Sequence, residues 1–159
     1  MHQIELFIKY PDEVQEEWFA SLVNDSMNTQ WGKKYDYRTI ENVNQFKERI
    51  PVQNYDSLKP YINQMLNGEQ NVLWPSEIKW FAKSSGTTSD RSKFIPVSEE
   101  SLEDCHFRGG KDMLAIYCNN MPNAQMFTGK SLVLGGIHQI NQLSPDSFYG
   151  DLSALIIKN

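Results

Sequence analysis

Apolar positions recur at helical spacing through the first third of the chain, then give way to short continuous runs. Val14, Trp18 and Leu22, with Phe19 and Val23 beside them, form one broad apolar face. Their spacing predicts a helix opening at Asp12 after Pro11, with Glu13, Glu16 and Glu17 favourable near its positive end. Ahead of Pro11, Ile4, Phe7 and Ile8 fit a short helix, although Ile4, Leu6 and Ile8 also alternate like a strand. Ile40, Val43 and Phe46 predict a second helix, opened by Thr39 and Glu41 and ended before Pro51. Leu58, Tyr61, Ile62, Met65 and Leu66 predict a third, capped by Asp56 and terminated at Gly68. Stripes of this kind are core far more often than cofactor grooves.

After Trp74-Pro75 the pattern changes. Ile78 to Ala82 is short, aromatic-rich and strand-like, and Phe94 to Val97 fits a second strand. Ser98 is placed to cap a helix over about 99–117, with Glu99 and Glu100 in its first turn and Val97 and Leu102 at the positions of a hydrophobic staple. Gly109-Gly110 inside it allows a kink or a close approach by another segment, and Pro122 lies beyond its end. Ser131 to Leu134 before Gly135-Gly136 predicts a further strand; the run 154–157 fits strand or buried helix. The pattern as a whole predicts an α/β fold in one unit over 1–159. Its mainly helical layer (1–75) packs on a sheet (76–159) that carries a strand-loop-strand element.

Composition narrows the class. The chain has 159 residues with 40% hydrophobic and 12% aromatic content, which suits a globular core. Fifteen basic and 20 acidic residues give a net charge of −5, a field that disfavours nucleic acid and anionic membrane as partners. No apolar run is long enough to span a bilayer, and Met1-His2-Gln3-Ile4-Glu5 lacks the pattern of a signal peptide. Cys105 and Cys118 are too few for a disulfide framework and wrongly spaced for a zinc knuckle. A cytoplasmic location is the expectation. The chain stops at Lys158-Asn159 directly after apolar residues, as a piece of a longer protein would.

The candidate chemistry lies between the two predicted strands. Ser84, Ser85, Gly86, Thr87 and Thr88 are five small residues, four with hydroxyls, followed by a basic segment closed by Lys93. A turn that only connects two strands needs two or three such residues. Backbone N–H groups of a glycine-permitted turn form a concave nest, hydroxyls add donors, and a lysine adds a compact positive charge. This combination predicts a phosphate-binding loop; the bland alternative is a polar hairpin connection with Lys93 protecting a strand edge. Three familiar phosphate and nucleophile motifs fail. A Walker loop must open a helix and needs a glycine separated by four residues from Gly-Lys-Ser/Thr, and before Gly129-Lys130-Ser131 Ala124 stands in that place. Neither Ser84 nor Ser85 has the frame of a nucleophile elbow, and a dinucleotide fingerprint needs three spaced glycines.

Strand, Ser-Ser-Gly-Thr-Thr, Lys93, strand resembles the phosphate-binding motif of adenylate-forming enzymes. Phe46 to Ile50 before Pro51-Val52, Tyr55-Asp56-Ser57-Leu58-Lys59-Pro60-Tyr61-Ile62, Gly68-Glu69 and Lys93-Phe94-Ile95-Pro96 narrow the likeness. Together these segments resemble the auxin-responsive Gretchen Hagen family of acyl-acid amido synthetases, on the bacterial branch, over nearly the whole chain. The resemblance implies the N-terminal part of a large ATP-binding domain. It also implies a two-step ligase reaction with ATP, a small carboxylic acid and an amino acid as substrates, and magnesium bridging the phosphates. Ser84, Ser85, Gly86, Thr87 and Thr88 would then bind ATP and Lys93 would be catalytic. Ser89 and Asp90 depart from the family, which has glycine there; Asp90 sets a negative charge beside the phosphate site, offset by Arg91.

Other side chains carry less. His2, His106 and His138 have no ligand spacing with cysteines or carboxylates, so a metal site is not expected. His138 follows Gly135-Gly136 at a predicted strand end, where crevices open in α/β sheets, and is a weak substrate-side candidate. Cys105 is expected as a buried or half-buried structural thiol, and Trp18, Trp31, Trp74 and Trp80 as packing residues, with Trp80 near enough to the loop to line a pocket.

Overall fold

The strand that leads into the hydroxyl-rich loop is buried on both faces, and the layers are arranged around it. The computed structural model describes residues 2–84, 93–130, 132, 139–153 and 156. Helices α1 (His2–Lys9), α2 (Pro11–Ser26), α3 (Gln30–Lys34), α4 (Val43–Arg49) and α5 (Tyr55–Leu66) come first, with a 3-10 turn at Tyr37–Thr39. Strands β1 (Trp80–Lys83) and β2 (Phe94–Val97) follow, then a π-helical segment (Ser101–Phe107) running into α6 (Arg108–Asn120). Strands β3 (Ile140–Ser144) and β4 (Ser147–Gly150) complete a four-stranded sheet of order β2-β1-β4-β3. β1 pairs antiparallel with β2 and parallel with β4, and β3 pairs antiparallel with β4.

Successive strand residues point to opposite faces. Phe81, fully buried, packs with Ile62, Met65 and Leu66 of α5 and with Val72 and Ile78. Ala82 packs on the other side with Val97 and Leu102, where Trp80 and Phe107 also press in. This double burial explains why Trp80, Phe81 and Ala82 run apolar without alternation. A second cluster of Val23, Trp31, Tyr37 and Ile40 fills the helical layer and shares Leu58, Tyr61 and Leu73 with the first.

The helix starts differ from the sequence expectation in an instructive way. The cap of α5 is Asn54, not Asp56: its side chain accepts the Ser57 N–H at 2.9 Å, and Ser57 Oγ accepts the Asn54 N–H at 3.1 Å. The helix at Val43 is likewise capped by Asn42, which accepts the Gln45 N–H at 3.0 Å, so Thr39 belongs to the preceding 3-10 turn. Both asparagines supply the short oxygen that orphan N–H groups require. Asn54→Ala is expected to lower stability by about 1 kcal/mol, whereas Asp56→Ala, inside the first turn and exposed, leaves the urea midpoint nearly unmoved. Equal losses from the two would refute the assignment.

Other expectations hold. Gly68, at φ +94°, ends α5: its N–H donates to Met65 O and the Glu69 N–H to Gln64 O, each at 3.0 Å. Ser98 Oγ accepts the Ser101 N–H at 3.1 Å, and Val97 and Leu102 meet in one cluster. The glycine pair in α6 admits no close neighbour: a Cβ at Gly109 or Gly110 meets nothing within 4 Å. The helix irregularity instead lies just before it, in the π-helical turn. Cys105 is exposed, against expectation, and Trp18 is 45% exposed because the apolar face of α2 is only partly covered. The predicted strand 131–134 and the run 154–157 lie outside the described residues, apart from Leu132 and Ile156. Among the described residues no helix is long and apolar enough to cross a membrane.

Candidate functional site

The base of the loop is closed by its two end residues. β1 and β2 pair as far as Lys83 opposite Phe94. One step further, the Ser84 N–H donates to Lys93 O at 2.9 Å, and the Lys93 N–H donates to Ser84 Oγ at 3.2 Å. The serine hydroxyl thus stands in for a backbone carbonyl, and the chain leaves the sheet at a defined width. Ser84 and Lys93 are the two candidate residues that the structure brings together, and both are half-buried. Ser85, Gly86, Thr87, Thr88 and His138 lie outside the described residues, as do Ser89, Asp90 and Arg91.

Tyr55, the first residue of α5, reaches the same point from the helical layer. Its hydroxyl accepts the Phe94 N–H at 2.9 Å, and the Lys93 ammonium sits 5.5 Å from the centre of its ring. Phe94 in turn meets the Tyr149 ring edge-on at 5.3 Å, and the Lys83 ammonium lies 5.6 Å from that ring's centre. Two lysines and two tyrosines therefore flank the mouth of the loop. No local sequence signal pointed to Tyr55, since a tyrosine opening an amphipathic helix reads as core. Lys34 shows the contrasting structural lysine. Its ammonium lies over Trp31, Tyr35 and Tyr61, and its hydrogen bond to Tyr61 Oη raises its pKa above the ordinary lysine value.

The carboxyl ends of the parallel neighbours β1 and β4 meet at Ala82 opposite Gly150. Crevices beyond such ends are the usual ligand sites of α/β sheets. Here the crevice is a cavity of about 160 Å³ lined by Lys83, Gln139, Asn141, Tyr149, Gly150 and Asp151. Gly150 is required, because a Cβ there would stand 2.9 Å from Gln139 O. A larger cavity of about 720 Å³ among α2, α3, α4 and α5 is lined mainly by apolar side chains, with Ser26, Lys47 and Gln53 among them. Trp80 stacks on Phe148 at 5.0 Å and borders a third, of about 420 Å³, with Ser98 and Glu103. Among the described residues no group of three or more His, Cys, Asp or Glu is placed to hold a metal ion.

Comparison with known proteins identifies the family and the fold. Residues 1–159 match the GH3 family N-terminal domain. An indole-3-acetic acid-amido synthetase of Arabidopsis thaliana, GH3.2, is 34% identical over 101 residues, 63% of this chain and 18% of its own. A jasmonoyl-L-amino acid synthetase of Nicotiana attenuata, JAR4, is 27% identical over 104 residues, 65% of this chain and 18% of its own. The solved GH3.15 acyl acid amido synthetase superposes with a TM-score of 0.81 at 19% identity, covering 99% of this chain and 28% of its own, which shows the fold. The matched region is under a fifth of the length of these curated relatives. The expected bacterial branch gains no support, since both relatives are plant proteins.

Proposed function

This chain belongs to the GH3 family, and from that premise we propose that the protein carrying it is an ATP-dependent acyl-acid amido synthetase. Residues 1–159 are its phosphate-binding portion, the N-terminal part of the large ATP-binding domain. The relatives named above are by name an indole-3-acetic acid-amido synthetase and a jasmonoyl-L-amino acid synthetase. In the first step a carboxylate oxygen of the acid attacks the α-phosphorus of ATP, the bond to the β-phosphate oxygen breaks, and pyrophosphate leaves. In the second the amino acid's amine attacks the acyl carbonyl, the bond to AMP breaks, and the nitrogen loses a proton.

The observation that carries this reading is the closed base of the loop, where Ser84 and Lys93 hold each other at the end of β1. Accepting from Lys93 uses an Oγ lone pair of Ser84 and leaves its hydroxyl proton for a phosphate oxygen. Lys93 supplies positive charge where negative charge builds on the phosphates, the main requirement of phosphoryl chemistry. Ser85, Thr87 and Thr88 add hydroxyl and backbone donors, and Gly86 lets the backbone approach. ATP with magnesium is the nucleotide substrate in this reading, and the cytoplasm is the compartment.

In the full-length protein, radiolabelled pyrophosphate is expected to exchange into ATP only when a suitable carboxylic acid is present. A folded protein that shows no exchange with any of a broad panel of aromatic and aliphatic acids would refute the proposal.

A further inference from the structure

We infer that Tyr55 is a positioning residue for nucleotide binding: it holds Lys93 and the start of β2 in the geometry that receives the ATP phosphates. The inference rests on the phosphate-loop reading above and assigns a part to a residue outside that loop.

β2 is an edge strand, with β1 as its only neighbour in the described sheet. In an antiparallel pair, alternate N–H groups point away from the partner strand. Ser84 and Lys93 form the hydrogen-bonded step, so the next N–H, that of Phe94, points outward. The Tyr55 hydroxyl takes it at 2.9 Å. The root of that side chain is itself fixed, because Asn54 and Ser57 lock the first turn of α5 with reciprocal hydrogen bonds. One side chain thus ties the helical layer to the residue that follows Lys93.

The ring of the same tyrosine lies under the Lys93 ammonium at 5.5 Å. A lysine has a flexible four-carbon stem, and ordering it on ligand binding costs rotamer entropy. An ammonium already gathered over an aromatic face loses less of that freedom when a phosphate arrives. Hydroxyl and ring therefore do different work. The hydroxyl sets where the backbone of Lys93 leaves the strand, and the ring sets where its charge waits. A tyrosine that only stabilised the sheet edge would change folding without changing how phosphates are held.

The test measures ATP and adenosine affinities by calorimetry and competition in the full-length protein, with thermal unfolding recorded for each variant. Tyr55→Phe is expected to weaken ATP about fivefold, the size of one lost neutral hydrogen bond, and Tyr55→Leu to weaken it further. Adenosine, which lacks phosphates, should bind each variant as it binds the parent. In a double-mutant cycle Tyr55→Leu should add little once Lys93→Ala is present, because the ring acts through Lys93. If Lys93→Ala weakens ATP but Tyr55→Phe does not, or if ATP and adenosine weaken together, the inference is overturned and the phosphate loop stands. If Lys93→Ala also leaves ATP affinity unchanged, the phosphate-loop reading falls and the inference with it. Affinity is read on the folded fraction, so partial loss of stability in Tyr55→Leu does not imitate the expected result.

Discussion

Lys93→Ala is expected to lower kcat/KM for pyrophosphate exchange roughly a hundredfold, the loss seen when one preorganised charge or donor is removed from a developing anion. The effect should be large because Lys93 is not a freely waving surface cation. Its backbone is fixed by Ser84 and its ammonium lies over Tyr55. An ammonium that is already in place stabilises the transition state without reorganisation at the moment of reaction. Lys93→Arg keeps the charge but replaces a compact ammonium with a planar fork, so only partial rescue is expected. Lys83→Ala provides the comparison: its ammonium is turned toward Tyr149, and the loss should be far smaller. Equal losses at Lys83 and Lys93 would mean that net charge, not position, is what the site uses.

The parts of this arrangement differed in how plainly the sequence carried them. β1 and β2 were legible because both are short apolar runs bounded by polar residues, and Phe94 to Val97 was placed to the residue. The helical stretch from the π-helical segment into α6 was legible through Ser98 and Leu102 at its start and Pro122 beyond its end. β3 and β4 were missed: Ile140-Asn141-Gln142-Leu143-Ser144 is too polar to read as a strand and is supported by its pairing to β4. The available signal was Pro145-Asp146, two turn-favouring residues between Ser144 and Ser147, which pair across them. α3 escaped because five residues cannot display a period, and its start depends on Thr29, whose hydroxyl accepts the Gly32 N–H at 2.9 Å. The candidate loop was proposed from residue types alone, and of its candidate residues only Ser84 and Lys93 fall among the described residues. Its anchor was not legible, since the contact between Tyr55 and Phe94 spans 39 positions and leaves no local trace.

Phe81→Ala is expected to cost about 3–5 kcal/mol, the range for truncating a buried aromatic side chain. That is a large share of the roughly 5–15 kcal/mol that holds a typical domain folded. Phe81 has no exposed surface and packs in the cluster that joins α5 to the sheet. Its neighbours cannot easily collapse into the space it leaves. Ile62, Met65 and Leu66 are carried by a helix whose ends are pinned by the Asn54 cap and by Gly68, and Ala82 on the other face is held by Val97 and Leu102. The cavity term therefore adds to the lost transfer energy. Val52→Ala, at a fully exposed position, should change stability by no more than about 0.5 kcal/mol. Urea unfolding of the two variants checks the contrast, and a Phe81→Ala loss below about 1 kcal/mol would refute the core assignment. The consequence reaches the site. Phe81 lies two residues before Lys83, where β1 gives way to the loop, so a strand released from α5 also releases Tyr55 from Phe94. In variants that remain folded, Phe81→Leu should weaken ATP binding in parallel with stability, whereas Tyr55→Phe should weaken it at a stability cost of only about 1 kcal/mol, that of one lost neutral hydrogen bond.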